Sequence, residues 1–162
     1  MAKRSINLPV DNFEDWEYLP EGIQNSFAGY TGFSSSDHEL TFFKALAELP
    51  HEIIDFAKGI YFTSTSKASS GETFNLRGGF IKRHSAIVIL YPRTWRFSFK
   101  MITNIIAHEI AHVYLGHEWG ETHSIEKEIE ADDLASKWLG RKINYYRKLE
   151  KRLNRHPTTP TS

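Results

Sequence analysis

Residues 107–117 read AHEIAHVYLGH, and they lie in the most clearly helical part of the chain. From Ser98 to Gly116 the apolar side chains recur at helical spacing, and Ser98 is a residue type that caps helix starts. Because a helix advances about 100° per residue, His108 and His112 lie roughly 40° apart on adjacent turns. Two imidazoles placed in this way can reach one metal ion. The spacing therefore predicts that His108 and His112 are metal ligands.

Glu109 lies between these two histidines in the sequence and within the same arc of the predicted helix, roughly 100° wide. It can face a metal-activated water without being a ligand itself. Zinc hydrolases need this division of labour, in which neutral nitrogens help to hold the ion and a carboxylate takes a proton from the water. Glu109 is therefore the predicted catalytic general base. The alternative, solvated histidines on an amphipathic helix, is disfavoured because a later helix offers a suitable third ligand.

That third ligand is expected on the helix predicted from Ser124 to Leu139. Glu128 and Asp132 are four residues apart and share one face of this helix, beside the small Ala131 and Ala135. Small residues would let the helix approach the first one closely. We therefore expect Glu128 to bind the metal, while Asp132 accepts a hydrogen bond from a metal-binding imidazole and orients it.

His117 is the alternative third ligand. A continuous helix would turn its side chain about 180° away from His108. His117 could reach the metal only if the backbone broke at Gly116, so Glu128 is favoured.

The chain has eight histidines and no cysteine, so a metal site must be built from His, Asp and Glu side chains. Two histidines and one carboxylate are a ligand set that zinc uses in hydrolases. One Zn²⁺ per chain is therefore the predicted cofactor, and Mn²⁺ or Fe²⁺ would also suit this set.

The stretches AHEIAHVYLGH (107–117) and EIEAD (128–132) resemble the gluzincin-type zinc metallopeptidases of the ImmA/IrrE-like family, in which HExxH is followed by ExxAD. The resemblance extends over residues 86–140. It implies a peptidase that hydrolyses peptide bonds of a protein substrate, with a small twisted sheet packed on the active-site helix. It also implies that an edge strand of the sheet, here Ala86 to Tyr91, binds the extended peptide. In that family the last histidine of the first stretch is frequent and is not a metal ligand.

The rest of the chain predicts an α+β fold in one zincin-like domain, residues 1–156, with residues 1–36 largely irregular and residues 157–162 a disordered tail. Apolar β-branched runs predict the strands, and helical spacing predicts the helices. The predicted strands are 60–64, a hairpin of 73–76 with 80–82, and 86–91. The predicted helices are 37–49, 51–58, 98–116, 124–139 and a basic helix, 141–155.

Composition limits the partners. Twenty basic and twenty acidic residues cancel, so no overall charge favours nucleic acid. The longest apolar run, residues 86–91, is far shorter than the roughly 20 residues that cross a bilayer, and the start of the chain has no signal-peptide pattern. We expect a cytoplasmic protein that acts on a protein or peptide and does not enter a membrane.

A zinc-binding interaction module, for example of the toxin–antitoxin type, is the alternative to an enzyme. The same fold would then bind a partner with little or no turnover. Glu109 favours the enzyme, because a binding module has no need of a general base.

Overall fold

The computed structural model describes residues 19–27, 31–33, 35–64, 71–75, 86–117 and 124–144. Within these ranges, helices and strands both contribute to the fold. The helices are α1 Pro20–Ser26, α2 Ser36–Leu46, α3 His51–Ala57, α4 Phe99–Tyr114 and α5 Ile125–Trp138. The strands are β1 Thr31–Gly32, β2 Ile60–Ser64, β3 Gly71–Asn75 and β4 Ala86–Leu90. The predicted α+β fold class is confirmed.

The described strands form one sheet in the order β1-β2-β4-β3. β2 is parallel to both β1 and β4, whereas β3 is antiparallel to β4. Along β4, the side chains of Ala86, Val88 and Leu90 are buried, while those of Ile87 and Ile89 are partly exposed. β4 therefore has one face in the core and a hydrogen-bonded strand on each side.

The expectation that residues 86–91 form a peptide-binding edge strand is wrong. Every residue of β4 is in register with β2 on one side and with β3 on the other, so its backbone groups are already used. The physical reason is that an apolar, β-branched strand buries more surface in an inner position than at an edge. Among the described strands, β3 takes the outer position beside β4.

Several described elements pack around α4. The helix contacts α2 and α5, and it comes close to β3 and β4. Its apolar face, which includes Ile102, Ile106, Ile110 and Val113, is buried in the core. Burying such a side chain fully stabilises a fold by about 1.5–3 kcal/mol. This face therefore holds α4 in one rotational orientation and gives its histidines a defined direction.

Two small residues and one arginine determine how α5 lies against α4. Ala131 and Ala135 are fully buried, so no large side chain separates the two helices. Beyond the end of α5, Arg141 donates from Nε to Oδ1 of Asn104 on α4 at 2.9 Å, and from a second nitrogen to Glu48 at 3.0 Å. These bonds tie the end of α5 to α4 and to the segment after α2.

The basic helix predicted from Arg141 to Arg155 does not begin where expected. Gly140, with φ +59°, ends α5, and residues 141–144 are not helical. The backbone N–H of Ile143 donates to Oγ of Ser136 at 2.8 Å, so the chain folds back against α5 instead of starting a helix. The remainder of that predicted helix and the predicted tail, residues 157–162, lie outside the described residues.

The segment expected to be irregular, residues 1–36, contains α1 and β1 in its described part. Ile23 and Phe27 are fully buried there. The ring of Phe27 lies edge-on to that of Phe43, with the centroids 5.7 Å apart. These two apolar anchors fix the short helix α1 to the core, within a segment expected to be largely irregular. Residues 1–18 and the predicted strand 80–82 lie outside the described residues.

None of the helices in the described ranges combines the length and the apolar character needed to cross a membrane.

Candidate metal centre

Three side chains from α4 and α5 meet between the two helices. His108 and His112 are one turn apart on α4, and Glu128 lies near the start of α5. The Nε2 atoms of the two histidines are 3.0 Å apart. Oε2 of Glu128 is 3.1 Å from Nε2 of His108 and 3.6 Å from Nε2 of His112. His108 and Glu128 are buried, and His112 is mostly so.

These separations match the needs of one small metal ion. Zinc binds nitrogen and oxygen at about 2.0–2.2 Å in tetrahedral geometry, which places neighbouring ligand atoms about 3.3 Å apart. The three observed separations lie on both sides of that value. Two imidazole nitrogens and one carboxylate oxygen are also a chemically suitable set. The group formed by His108, His112 and Glu128 could therefore hold a metal ion.

Asp132 lies beside His108 and faces the ring nitrogen that points away from His112 and Glu128. Its Oδ1 atom is 3.0 Å from Nδ1 of His108, and the residue is almost fully buried. When Nε2 of His108 offers its lone pair to a metal, Nδ1 carries the proton and donates a hydrogen bond to this carboxylate. Asp132 can thus hold the imidazole in the tautomer and orientation that a metal ligand requires.

His117 is not placed as a continuous helix would place it. α4 ends at Tyr114, Gly116 has φ +69°, and the N–H of His117 donates to the carbonyl oxygen of His112 at 3.0 Å. This is the Schellman motif that ends many helices. It brings Nδ1 of His117 to 2.8 Å from Nδ1 of His112.

The expectation that His117 turns away from the site is therefore wrong. The backbone does break at Gly116, yet the break brings His117 to the outer nitrogen of His112 and not to the three donor atoms that could hold a metal. Nε2 of His117 lies 3.2 Å from Oε2 of Glu130. The residue pair His117–Glu130 is the part of the site that spacing alone did not predict. A glycine directly after a helical stretch was the available signal.

The carboxylates around His108 dominate the electrostatics of the centre. Burial alone would lower the pKa of His108, but hydrogen bonds to Asp132 and Glu128, together with the charge of Glu109, raise it to about 10. For Glu128, burial opposes ionisation, but the hydrogen bonds to His108 and His112 hold its pKa well below the ordinary value. The metal-free centre therefore binds a proton tightly, and a divalent cation could replace that proton.

The pKa of His117 is shifted in the opposite direction to that of His108. Burial and the nearby His112 imidazole lower the pKa of His117. A lowered pKa favours the neutral imidazole, which can accept one hydrogen bond and donate another.

Glu109 follows His108 on α4 and is only partly buried. It is not one of the three residues whose donor atoms meet. Its charge is close enough to raise the pKa of His108, so it lies within electrostatic reach of the centre.

A family model described as Peptidase U49 matches residues 96–156. Over this segment the chain is similar to a peptidase family. The matched segment contains α4 and α5, and hence both histidines of the three-ligand group, Glu109, Glu128 and Asp132. No curated protein and no solved structure matches the chain. The match supports an enzyme that hydrolyses peptide bonds.

Proposed function

We propose that this protein is a zinc-dependent metallopeptidase of the gluzincin type, in which His108, His112 and Glu128 hold the ion. The observation that carries the proposal is the meeting of three donor atoms, 3.0 to 3.6 Å apart, between α4 and α5. The peptidase match over residues 96–156 supports it independently of the geometry. The HExxH and ExxAD stretches support the ImmA/IrrE-like branch.

The ion would supply Lewis acidity, which makes a water acidic near neutral pH. His108, His112 and Glu128 would supply three protein ligands from the described residues. Catalytic zinc sites typically use three protein ligands together with a water or substrate, whereas structural zinc sites use four protein ligands.

Glu109 is the general base in this proposal. Its carboxylate takes a proton from the attacking water as the water oxygen bonds to the peptide carbonyl carbon. Glu109 then passes the proton to the amide nitrogen as the carbon–nitrogen bond breaks, so that an amine and a carboxylic acid leave. Asp132 meanwhile keeps the His108 imidazole in the tautomer with hydrogen on Nδ1.

The substrate is proposed to be a protein or peptide in extended conformation. β4 cannot accept it, because β2 and β3 occupy both sides of that strand. β3 is the outermost described strand on the side of the sheet that comes close to α4. A peptide that adds to the sheet on this side would gain backbone hydrogen bonds next to a strand that comes close to the metal-binding helix α4.

The experiment compares the zinc-loaded protein with its Glu109→Gln variant. Both are incubated with a library of unstructured peptides, and the products are identified by mass spectrometry. We expect cleavage by the unmodified protein, no cleavage after chelation, and no cleavage by Glu109→Gln although the variant binds zinc equally well. Equal cleavage by Glu109→Gln would reject the mechanism. Stoichiometric zinc without any cleaved peptide would favour the interaction module instead.

A further inference from the structure

The two histidines of the candidate metal centre have different partners on their outer nitrogens. Nδ1 of His108 faces the buried carboxylate of Asp132 at 3.0 Å. Nδ1 of His112 faces a second imidazole, that of His117, at 2.8 Å. The carboxylate of Glu130 lies beyond His117, at 3.2 Å from its Nε2. The outer nitrogen of His108 thus contacts a carboxylate directly, whereas that of His112 is connected to a carboxylate through the imidazole of His117.

The positions of the hydrogens in the series His112–His117–Glu130 follow from the chemistry of imidazole. A metal ligand uses the lone pair of Nε2, so His112 carries its hydrogen on Nδ1. This N–H donates to Nδ1 of His117, which must then be unprotonated. Neutral His117 carries its hydrogen on Nε2 and donates it to Glu130. Each nitrogen and oxygen in this series of hydrogen bonds, from His112 through His117 to Glu130, is therefore either a donor or an acceptor without conflict.

We propose that His117 and Glu130 position His112 as a metal ligand by fixing its ring orientation and its tautomer. This inference rests on the proposed zinc site. Both nitrogens of His117 are engaged away from the three donor atoms, one at Nδ1 of His112 and one at Glu130, so His117 acts through His112 and not on the metal.

The backbone at the end of α4 is what makes this arrangement possible. The Schellman motif at Gly116 places the residue after the glycine over the carbonyl group of His112, five positions earlier. The side chain of His117 is mostly buried there, with 11% of its surface exposed. Its ring meets that of His112 edge-on, at an angle of 63°, and is not stacked on it.

The carboxylate that ends the His112–His117 series of hydrogen bonds is more exposed than the carboxylate that contacts His108. The side chain of Glu130 is 62% exposed, whereas that of Asp132 is 3% exposed. Solvent therefore weakens the contribution of Glu130. His117 should matter more for metal affinity than Glu130 does, because it contacts His112 directly and supplies the acceptor for its N–H.

The test measures zinc affinity by competition with a chromophoric chelator. His117→Phe keeps an aromatic ring but removes the acceptor, and we expect the affinity to fall by a factor of roughly 10 to 100, the usual range for partners of metal-binding imidazoles. His117→Asn can place an amide oxygen near the former Nδ1 position, so it should recover most of this loss. Similar affinities for the unmodified protein and His117→Phe would overturn the proposal, and so would equal losses in the Phe and Asn variants.

Glu130 has a matched control on the same helix. Glu126 is also exposed and contacts Ser124, not a histidine of the site. We expect Glu130→Gln to weaken zinc binding by up to about tenfold, at the low end of the same range, and Glu126→Gln to leave it unchanged. Combining Glu130→Gln with His117→Phe should add nothing to the loss. An additive loss would show that Glu130 acts separately from His117, and would reject the chain of contacts.

A spectroscopic readout separates positioning from a general loss of structure. In the zinc-loaded protein labelled with ¹⁵N-histidine, His112 should show a metal-bound Nε2 and a slowly exchanging hydrogen on Nδ1. That hydrogen should exchange rapidly in His117→Phe and slowly again in His117→Asn. If the unmodified protein binds no zinc, the proposed function fails as well. If it binds zinc and cleaves peptides while His117→Phe retains the protected hydrogen, only the role of His117 is rejected.

Discussion

Oδ1 of Asp132 lies 3.0 Å from Nδ1 of His108, and Asp132 is 2% exposed. A buried carboxylate needs a strong partner, and here the partner is a residue of the candidate metal centre. The pair joins α5 to α4 at the point where Glu128 meets the same imidazole from its other side. The ring of His108 is thus held between two carboxylates of one helix, which leaves it little freedom to rotate.

Asp132→Asn should weaken zinc binding by a factor of roughly 10 to 100. The amide oxygen can still accept a hydrogen bond, but the negative charge that makes His108 a better ligand is lost. Affinity is measured by chelator competition. Asp133→Asn makes the same chemical change one residue later and should leave the affinity within a factor of about two. Equal effects at the two positions would show that the charge of α5 matters in general, and not the contact with His108.

Zinc binding should release a proton from the protein. His108 is protonated in the metal-free centre up to a pKa of about 10, yet it can bind zinc only after Nε2 has lost its proton. Affinity should therefore rise with pH, by up to about tenfold per pH unit below that pKa. Calorimetry at mildly alkaline pH in buffers of different ionisation enthalpy counts the released protons. A heat that does not depend on the buffer would contradict the expectation.

Without metal, the stability of the protein should fall as the pH rises. The pKa of His108 is raised in the folded state above its ordinary value of 6.5, so the folded protein holds this proton more tightly than the unfolded chain does. The stabilisation is fully present below pH 6.5 and is lost as the pH rises towards 10. Urea unfolding should show this decline in the metal-free protein and a smaller decline in His108→Gln. If the unfolding free energies of the two proteins changed with pH in parallel, His108 would not be the source of the decline.

Gly116→Ala and Gly140→Ala form a matched pair. Both glycines have positive φ, +69° and +59°, and an added Cβ would meet no atom within 4 Å at either position. Each substitution should therefore lower the free energy of unfolding through backbone strain alone, by about 1–2 kcal/mol. Only Gly116→Ala should also weaken zinc binding, because it disturbs the turn that brings His117 to His112. Equal zinc affinities for the two variants would mean that this turn does not influence the metal site.

Much of the candidate site follows from helical periodicity, which is a local property of the sequence. Residues four apart lie on one side of a helix, so His108 and His112 share a face of α4, and Glu128 and Asp132 share a face of α5, whatever surrounds them. The small Ala131 and Ala135 likewise indicate a close approach of α5 to another helix. The strands 60–64 and 86–91 could also be predicted, because apolar β-branched runs favour extended backbone.

Tertiary structure decided what periodicity cannot express. Whether β4 lies at an edge or inside the sheet depends on pairing with both β2 and β3, which the sequence of β4 itself does not specify. The direction of His117 depended on whether the helix continued through Gly116 or ended there, and helical spacing carries no information about its own end. The separations of 3.0 to 3.6 Å among the three donor atoms arise only when α5 docks on α4. The residue types and their helical faces are thus encoded locally, whereas the meeting of those faces depends on how two separate helices pack against each other.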